Sequence, residues 1–140
     1  MKTDIKQLLS SHHESEQRII MANILNGLFT GEIPVEDLFS PLYQQCSDGN
    51  TLDFTGFSNH LLHLRKHLKK VEFVVLDACV FEDRLAERHI TTVTHQDGQV
   101  SEIEVYVFMR LQHYKIISLD EITHVISGEE SDKTLASATS

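Results

Sequence analysis

Long apolar runs are missing from this chain. No window approaches the roughly 18 consecutive apolar residues that mark a membrane-spanning helix. Cysteine is scarce: Cys46 and Cys79 are far apart and in no CxxC pattern. That spacing excludes a paired-thiol metal or redox centre and reads as two reduced thiols. Basic residues are scarce too, with Lys plus Arg at 12 against Asp plus Glu at 21, a net charge of −9. So acidic a surface disfavours nucleic acid and anionic membrane as partners. The densest basic cluster, Arg65, Lys66, Lys69 and Lys70, lies at one helix end. Gly-rich phosphate loops, a GxSxG elbow and an HExxH pair are all absent. Their absence removes the usual signatures of nucleotide binding, serine hydrolysis and zinc proteolysis. The N-terminal MKTDIKQLL has too short an apolar stretch for a signal peptide, so a cytoplasmic location is expected.

What remains is an ordinary globular chain. Its 140 residues are 41% hydrophobic and 24% charged, enough for one domain with a real core. Residues 1–11 read as an N-terminal arm or the early start of a helix, and 129–140 as a polar tail. From His12 a helical stripe appears: Ile19, Ile20, Asn23, Ile24, Gly27 and Leu28, with Gly31 suited to the stop. Pro34 opens a short helix and Pro41 closes it. Leu42 to Cys46 reads as a strand, and Ser47-Asp48-Gly49-Asn50 as a turn. Thr55 is a plausible N-cap for a helix over 56–70 with Phe57, His60, Leu61, Leu64 and Leu68 on its apolar stripe.

After Lys70 the period changes. Residues 71–81 are apolar and β-branched, the pattern of a central strand. Leu85 to His95 alternates, Asp97-Gly98 signals a hairpin, and 100–111 returns. The last strand, Lys115 to Ser127, carries Asp120 and Glu121 inside an apolar run. Helices first and an antiparallel sheet after make an α+β fold, a strongly bent sheet with N-terminal helices packed on one face.

Several local patterns carry a family resemblance. They are YQQ at Tyr43 to Gln45, the DGNTLDFTGFSNHL run, RLAERH from Arg84, and KIISLDEITHVISG. With the order of elements, they make residues 12–128 resemble the NTF2-like superfamily, and within it the SnoaL-like, polyketide cyclase-like group. The resemblance implies a cone-shaped pocket over the sheet, no cofactor, and homodimerisation through the sheet. It does not by itself transfer an activity.

The resemblance also points to residues. In cyclases and epoxide-hydrolase-like members an acid on the last strand points into the cone. Alternation puts Leu119, Glu121 and Thr123 on one face and Asp120, Ile122 and His124 on the other, so Glu121 is the candidate acid or base. An apolar cavity would raise its pKa toward neutrality. The competing reading is an exposed acid, or one paired with Arg88. Tyr43 and Gln45 are two apart and resemble a Tyr-x-Asn pair that positions water. Arg88 falls where the epoxide-hydrolase branch keeps an arginine, but the acid expected two residues later is Ile90, so that relay is broken. For isomerase chemistry Tyr43 and Glu121 supply two parts, and Asp53 is a candidate third that better suits the turn before its helix. His60 shares the apolar stripe and could roof the pocket. His60, His63 and His67 lie at helical spacing, but the basic residues beside them disfavour a metal, and none is expected. His89 and His124 are assigned to the outer, dimer side of the sheet.

The candidate set is therefore Glu121 for catalysis, with Tyr43, Gln45, His60 and Arg88 for ligand binding. The first reading is a protein that holds a small, mostly apolar ligand and performs cofactor-free proton transfer, or simply binds. The alternative is a non-catalytic dimeric interaction module with a vestigial pocket. A wet, polar-lined and closed cavity favours the first; a cavity filled by the protein's own Phe and Leu side chains favours the second.

Overall fold

A computed structural model of the chain describes residues 4–10 and 13–128. The tail 129–140 and the ends of the arm lie outside the described residues. The elements run α1 (Ile5–Ser10), α2 (Glu14–Thr30), α3 (Val35–Leu38), β1 (Phe39–Ser47), β2 (Asn50–Asp53), α4 (Phe54–His67), β3 (Leu68–Phe81), β4 (Arg84–His95), β5 (Val100–Gln112) and β6 (Lys115–Ser127). The strands form one curved sheet in the order β2-β1-β6-β5-β4-β3. Helices precede the long meander, and the fold is the α+β cone expected.

Five local expectations are corrected. The stretch 71–81 forms an edge strand, not a central one, and its apolar inner face is covered by α2. The sheet is not wholly antiparallel, because β1 and β6 run parallel. The long helix is capped by Asp53, whose carboxylate accepts the Gly56 N–H at 2.8 Å, rather than by Thr55. That helix ends at His67, and Leu68 to Lys70 already belong to β3. Pro41 does not stop a helix. It sits inside β1 where the pairing with β6 shifts register between Phe39 and Gln44, a place a strand tolerates a missing donor.

The core lies between the helices and the concave face. Within the N-terminal arm, α1 buries Ile5 and Leu9 completely. On α2 the buried stripe is Met21, Ile24, Gly27 and Leu28, while Ile19 turns to solvent. Gly31 ends α2 at φ 87, a left-handed conformation where glycine is unstrained. Arg65 of α4 donates from Nη2 to the Leu28 carbonyl at 3.0 Å and from Nε to that of Phe29, satisfying the frayed end of α2. That contact fixes the two roofing helices to each other. Among the described residues no helix is long and apolar enough to cross a membrane.

Candidate active site

The concave face and the helices enclose a cavity of about 180 Å³. Its walls are mainly apolar, with Met21 and Leu28 from α2, Phe57 and Leu61 from α4, and Val105 and Val107 on the floor. Seven polar side chains reach it: Gln45, His60, Glu87, His89, Thr91, Glu121 and Thr123. A mainly apolar chamber with a few placed polar groups is the usual build of a small-molecule site.

Strand geometry explains who faces inward. On β6, Leu119, Glu121 and Thr123 line the cavity, and Ile122 is exposed on the other face. On β1, Tyr43, Gln45 and Ser47 share the inner face and are buried. They form a directed line of hydrogen bonds. The Tyr43 hydroxyl donates to Gln45 Oε1 at 2.9 Å. The Gln45 amide donates to Ser47 Oγ at 3.2 Å. The Ser47 hydroxyl donates to Glu121 Oε1 at 2.6 Å. Parallel pairing places Ser47 directly beside Glu121, which makes the last link short.

The β1–β2 turn clamps the same spot. Asp48 donates its N–H to the Glu121 carbonyl at 3.0 Å. Its carboxylate accepts the Thr123 N–H at 2.8 Å and also the Thr123 hydroxyl. Asp48 holds φ 50, a conformation that Asp adopts more readily than most residues. The backbone on both sides of the Glu121 side chain is thus pinned by one turn residue.

Burial pushes the Glu121 carboxyl up to about 7. The Ser47 bond and the charge on His89 pull it down, while Glu87 and Asp48 push it further up. Among the described residues every fully buried polar side-chain atom has a hydrogen-bond partner. Glu121 Oε2 makes no hydrogen bond there, so its contact is with open volume, the cavity itself. Burial, with the negative charges of Glu121 and Asp120, also raises the Tyr43 phenol, which stays a neutral donor.

Of the expected residues, Glu121, Gln45 and His60 line the cavity. Tyr43 does not; its ring lies behind the wall, 4.7 Å from Phe39 and 5.2 Å from Phe57, and only its hydroxyl acts, through Gln45. His60 stands in the roof beside Phe57, their ring centroids 6.4 Å apart. Arg88 is on the opposite face of the sheet. It pairs with Asp77 at 2.8 Å and with Glu104 at 3.1 Å, outside the cone. Asp53, weighed as a third catalytic part, is spent as the α4 cap.

The inward residues of β4 are the neighbours of Arg88. Glu87 and His89 are both buried, and His89 Nδ1 lies 2.7 and 2.9 Å from the two carboxylate oxygens of Glu87. His89 therefore faces in, not toward the outer surface, whereas His124 is exposed as expected. The broken relay inferred from Ile90 is also moot, because Ile90 shares the outer face with Arg88. Sequence reasoning missed Glu87, His89 and Ser47. Parity with Leu85 and Val93, the apolar inward residues of the same strand, would have placed Glu87 and His89 inside. Parity with Tyr43 and Gln45 would have placed Ser47.

Among the described residues no three His, Cys, Asp or Glu side chains converge as a metal-ligand set. His63 and His67 stack with centroids 4.2 Å apart on the side of α4 away from the cavity.

No family model matches the chain. An uncharacterized protein of Schizosaccharomyces pombe, C11D3.04c, is 31% identical over 98 residues, 70% of this chain and 75% of that protein. The chain belongs to one family with this yeast protein. Among solved structures it is similar to wild-type IdmH, a proposed polyketide cyclase from Streptomyces antibioticus, with a TM-score of 0.66 at 15% identity over 84% of this chain and 94% of that one. It is also similar to AclR, a proposed hydroxylase from Streptomyces galilaeus, with a TM-score of 0.60 at 16% identity over 76% and 90% of the two chains. PrhC from Penicillium brasilianum matches with a TM-score of 0.60 at 13% identity over 74% of each chain. These likenesses show an NTF2-like fold.

Proposed function

We propose that the protein binds a small, mostly apolar ligand in the cone and moves a proton on it, with Glu121 as the general acid or base and no cofactor. The observation that carries this reading is one carboxyl group at the end of the Tyr43–Gln45–Ser47 line, with its second oxygen on an apolar cavity. Held near 7 by burial, it exchanges a proton readily at neutral pH. The lining side chains leave about 180 Å³ unfilled, which favours ligand binding over a vestigial pocket. The cyclase and hydroxylase descriptions of the structural neighbours fit acid–base chemistry in such a cone.

Size narrows the ligand. An apolar cavity of about 150 Å³ accepts benzene. A volume of about 180 Å³ therefore suits a single ring with a small substituent, not a fused polyketide. The test is a panel of single-ring carbonyl compounds followed by ligand-observed NMR and by turnover. Glu121→Gln abolishes turnover and leaves binding nearly intact. Unchanged turnover removes Glu121 from the mechanism.

Homodimerisation through the outer face of the sheet belongs to the same reading. Val74, Tyr106, Phe108 and Ile122 are exposed there, an apolar area that a second copy would cover. Nucleic acid and membrane are not among its partners, given the charge of −9. Both cysteines are free thiols, which supports a reducing, cytoplasmic setting.

A further inference from the structure

The Glu87–His89 pair is a buried polar group that the Glu121 reading leaves unused. In an apolar cavity such a pair costs free energy to desolvate, and a well-packed apolar pair would fill the place as well or better. Its position is what makes it notable. Glu87 pairs across Val107 with Glu121 in one row of the sheet, and His89 pairs across Val105 with Thr123 in the next. Two strand spacings separate β4 from β6, about 10 Å between Cα atoms. The short Val105 and Val107 side chains lie between them, and the concave curvature tilts the facing groups toward the space above. Both oxygens of Glu87 are taken up by His89 Nδ1. That fixes a proton on Nδ1 and turns Nε2 away from Glu87. His89 Nε2 makes no hydrogen bond among the described residues, and no fully buried polar atom there lacks one, so Nε2 opens onto the cavity that His89 lines. Phe73 packs edge-on at 5.8 Å and holds the ring in place.

We propose that His89, oriented by Glu87, is a second proton-transfer group facing Glu121 across the cavity, so that the substrate is a small enolisable carbonyl compound of about one ring. This rests on the ligand-binding reading above and adds to it. Glu121, as carboxylate, takes the proton from the carbon next to the carbonyl. The C–H electron pair becomes the C=C bond of the enol, the carbonyl π pair moves to oxygen, and protonated His89 delivers its Nε2 proton there. Reversal, with Glu121 returning its proton to the same carbon or to the far end of a conjugated system, regenerates both groups. The net outcome is exchange or isomerisation, with no oxidant or co-reactant. His89 is catalytic in this scheme, and Glu87 is a positioning residue. The charged and titratable groups around His89 are Glu87 on its own strand, Glu121 from β6 and His60 from α4; its β3 and β5 neighbours, Val75 and Val105, are apolar.

The probe is cyclohexanone in D₂O, with loss of its α-proton NMR signal as the rate and saturation-transfer NMR as the binding signal. The full chain binds it and accelerates exchange. His89→Gln slows exchange about 100-fold with binding retained, the size expected for loss of one general acid. Glu87→Gln keeps an acceptor for Nδ1 and retains part of the exchange, whereas Glu87→Ala loses it with binding retained, a rescue that a merely structural role would not give. Full exchange by a folded His89→Gln protein overturns the proposal while Glu121 stands. Binding without exchange by the wild type also overturns it and leaves the binding reading intact. No binding at all overturns both. Should His89→Gln fail to fold, His89→Asn takes its place: full exchange by the folded variant overturns the second group, and slowed exchange with binding retained sustains it.

Discussion

A guanidinium–carboxylate pair and an imidazole–carboxylate pair sit on adjacent residues of one strand, in different surroundings. Arg88 reaches Asp77 and Glu104 on the outer face, with side-chain exposures of 35%, 61% and 18%. His89 reaches Glu87 on the inner face, with exposures of 7% and 0%. The contact chemistry is alike, but water screens the first pair and protein surrounds the second. Outside, such a pair contributes little, because both ions are solvated with or without each other. Inside, each partner depends on the other, since either one alone is a buried group without compensation. One step along a β-strand therefore separates a surface ion pair from a candidate site.

Breaking the inner pair is expected to give the largest effect. Glu87→Ala leaves His89 facing apolar walls without its acceptor and lowers stability by about 3–5 kcal/mol. Urea denaturation at neutral pH measures it. A loss no larger than that of an exposed substitution would show that water reaches the pair and that the comparison between the faces is mistaken.

Glu121 sharpens the comparison from the other side, because it is half-buried on the cavity without a cation bonded to it. Its folded pKa lies near 7, above the 4.5 of an ordinary carboxyl. The folded state therefore holds a proton that the unfolded chain has released across that window. Its contribution to stability is intact below pH 4.5 and is lost as pH rises through about 7. The full penalty at pH 8 is roughly 3 kcal/mol. Glu121→Gln removes it, so the variant is more stable than wild type at pH 8 and about equal at pH 4.5. Melting curves across pH 4.5 to 8 with no difference in slope between the two proteins would place Glu121 in a wet, ordinary environment.

The division of the sheet into two faces also explains what could be read from sequence alone. The helix order, the Asp97-Gly98 hairpin and the long meander follow from local periodicity, which needs no knowledge of partners. Glu121 was legible because Leu119 and Thr123 flank it at period two, and pairing with β5 runs unbroken from Thr123 to Ser118. Arg88 was misplaced because it was matched to a family position instead of to the alternation of its own strand. A one-residue offset exchanges the two faces completely. Ser47 was hidden by its neighbours, since Ser-Asp-Gly-Asn has turn composition while its first residue still belongs to β1. The β2 strand and the edge position of β3 depend on pairing between distant segments, and no local pattern encodes that. Apolar residues on 71–81 suit a central strand and an edge strand beneath a helix equally well.

The outer face offers a smaller effect. If a second copy covers it, light scattering gives about twice the 16.0 kDa chain mass. Phe108, exposed at 66%, is the largest apolar group in the outer row that also holds Ala86 and Asp120. Phe108→Asp places a second carboxylate beside Asp120 and weakens self-association at least tenfold, about 1.4 kcal/mol. Stability measured in the dilute, dissociated state stays unchanged. A monomeric wild type at micromolar concentration would leave this apolar face to some other partner.

The smallest expected effect belongs to Arg88. Its guanidinium lies on the far side of the sheet from the cavity, and the β4 backbone separates it from Glu121 and His89. Arg88→Ala removes one exposed and one half-buried ion pair, leaving Asp77 to water and Glu104 half-buried on the outer face. Ligand affinity and the pH profile of exchange are then expected to match wild type within error. Titration of the variant with cyclohexanone, set beside His89→Gln, decides the matter. Equal behaviour of the two variants would erase the distinction between the faces. A silent Arg88→Ala beside a slow His89→Gln confines the chemistry to the concave side, one residue away.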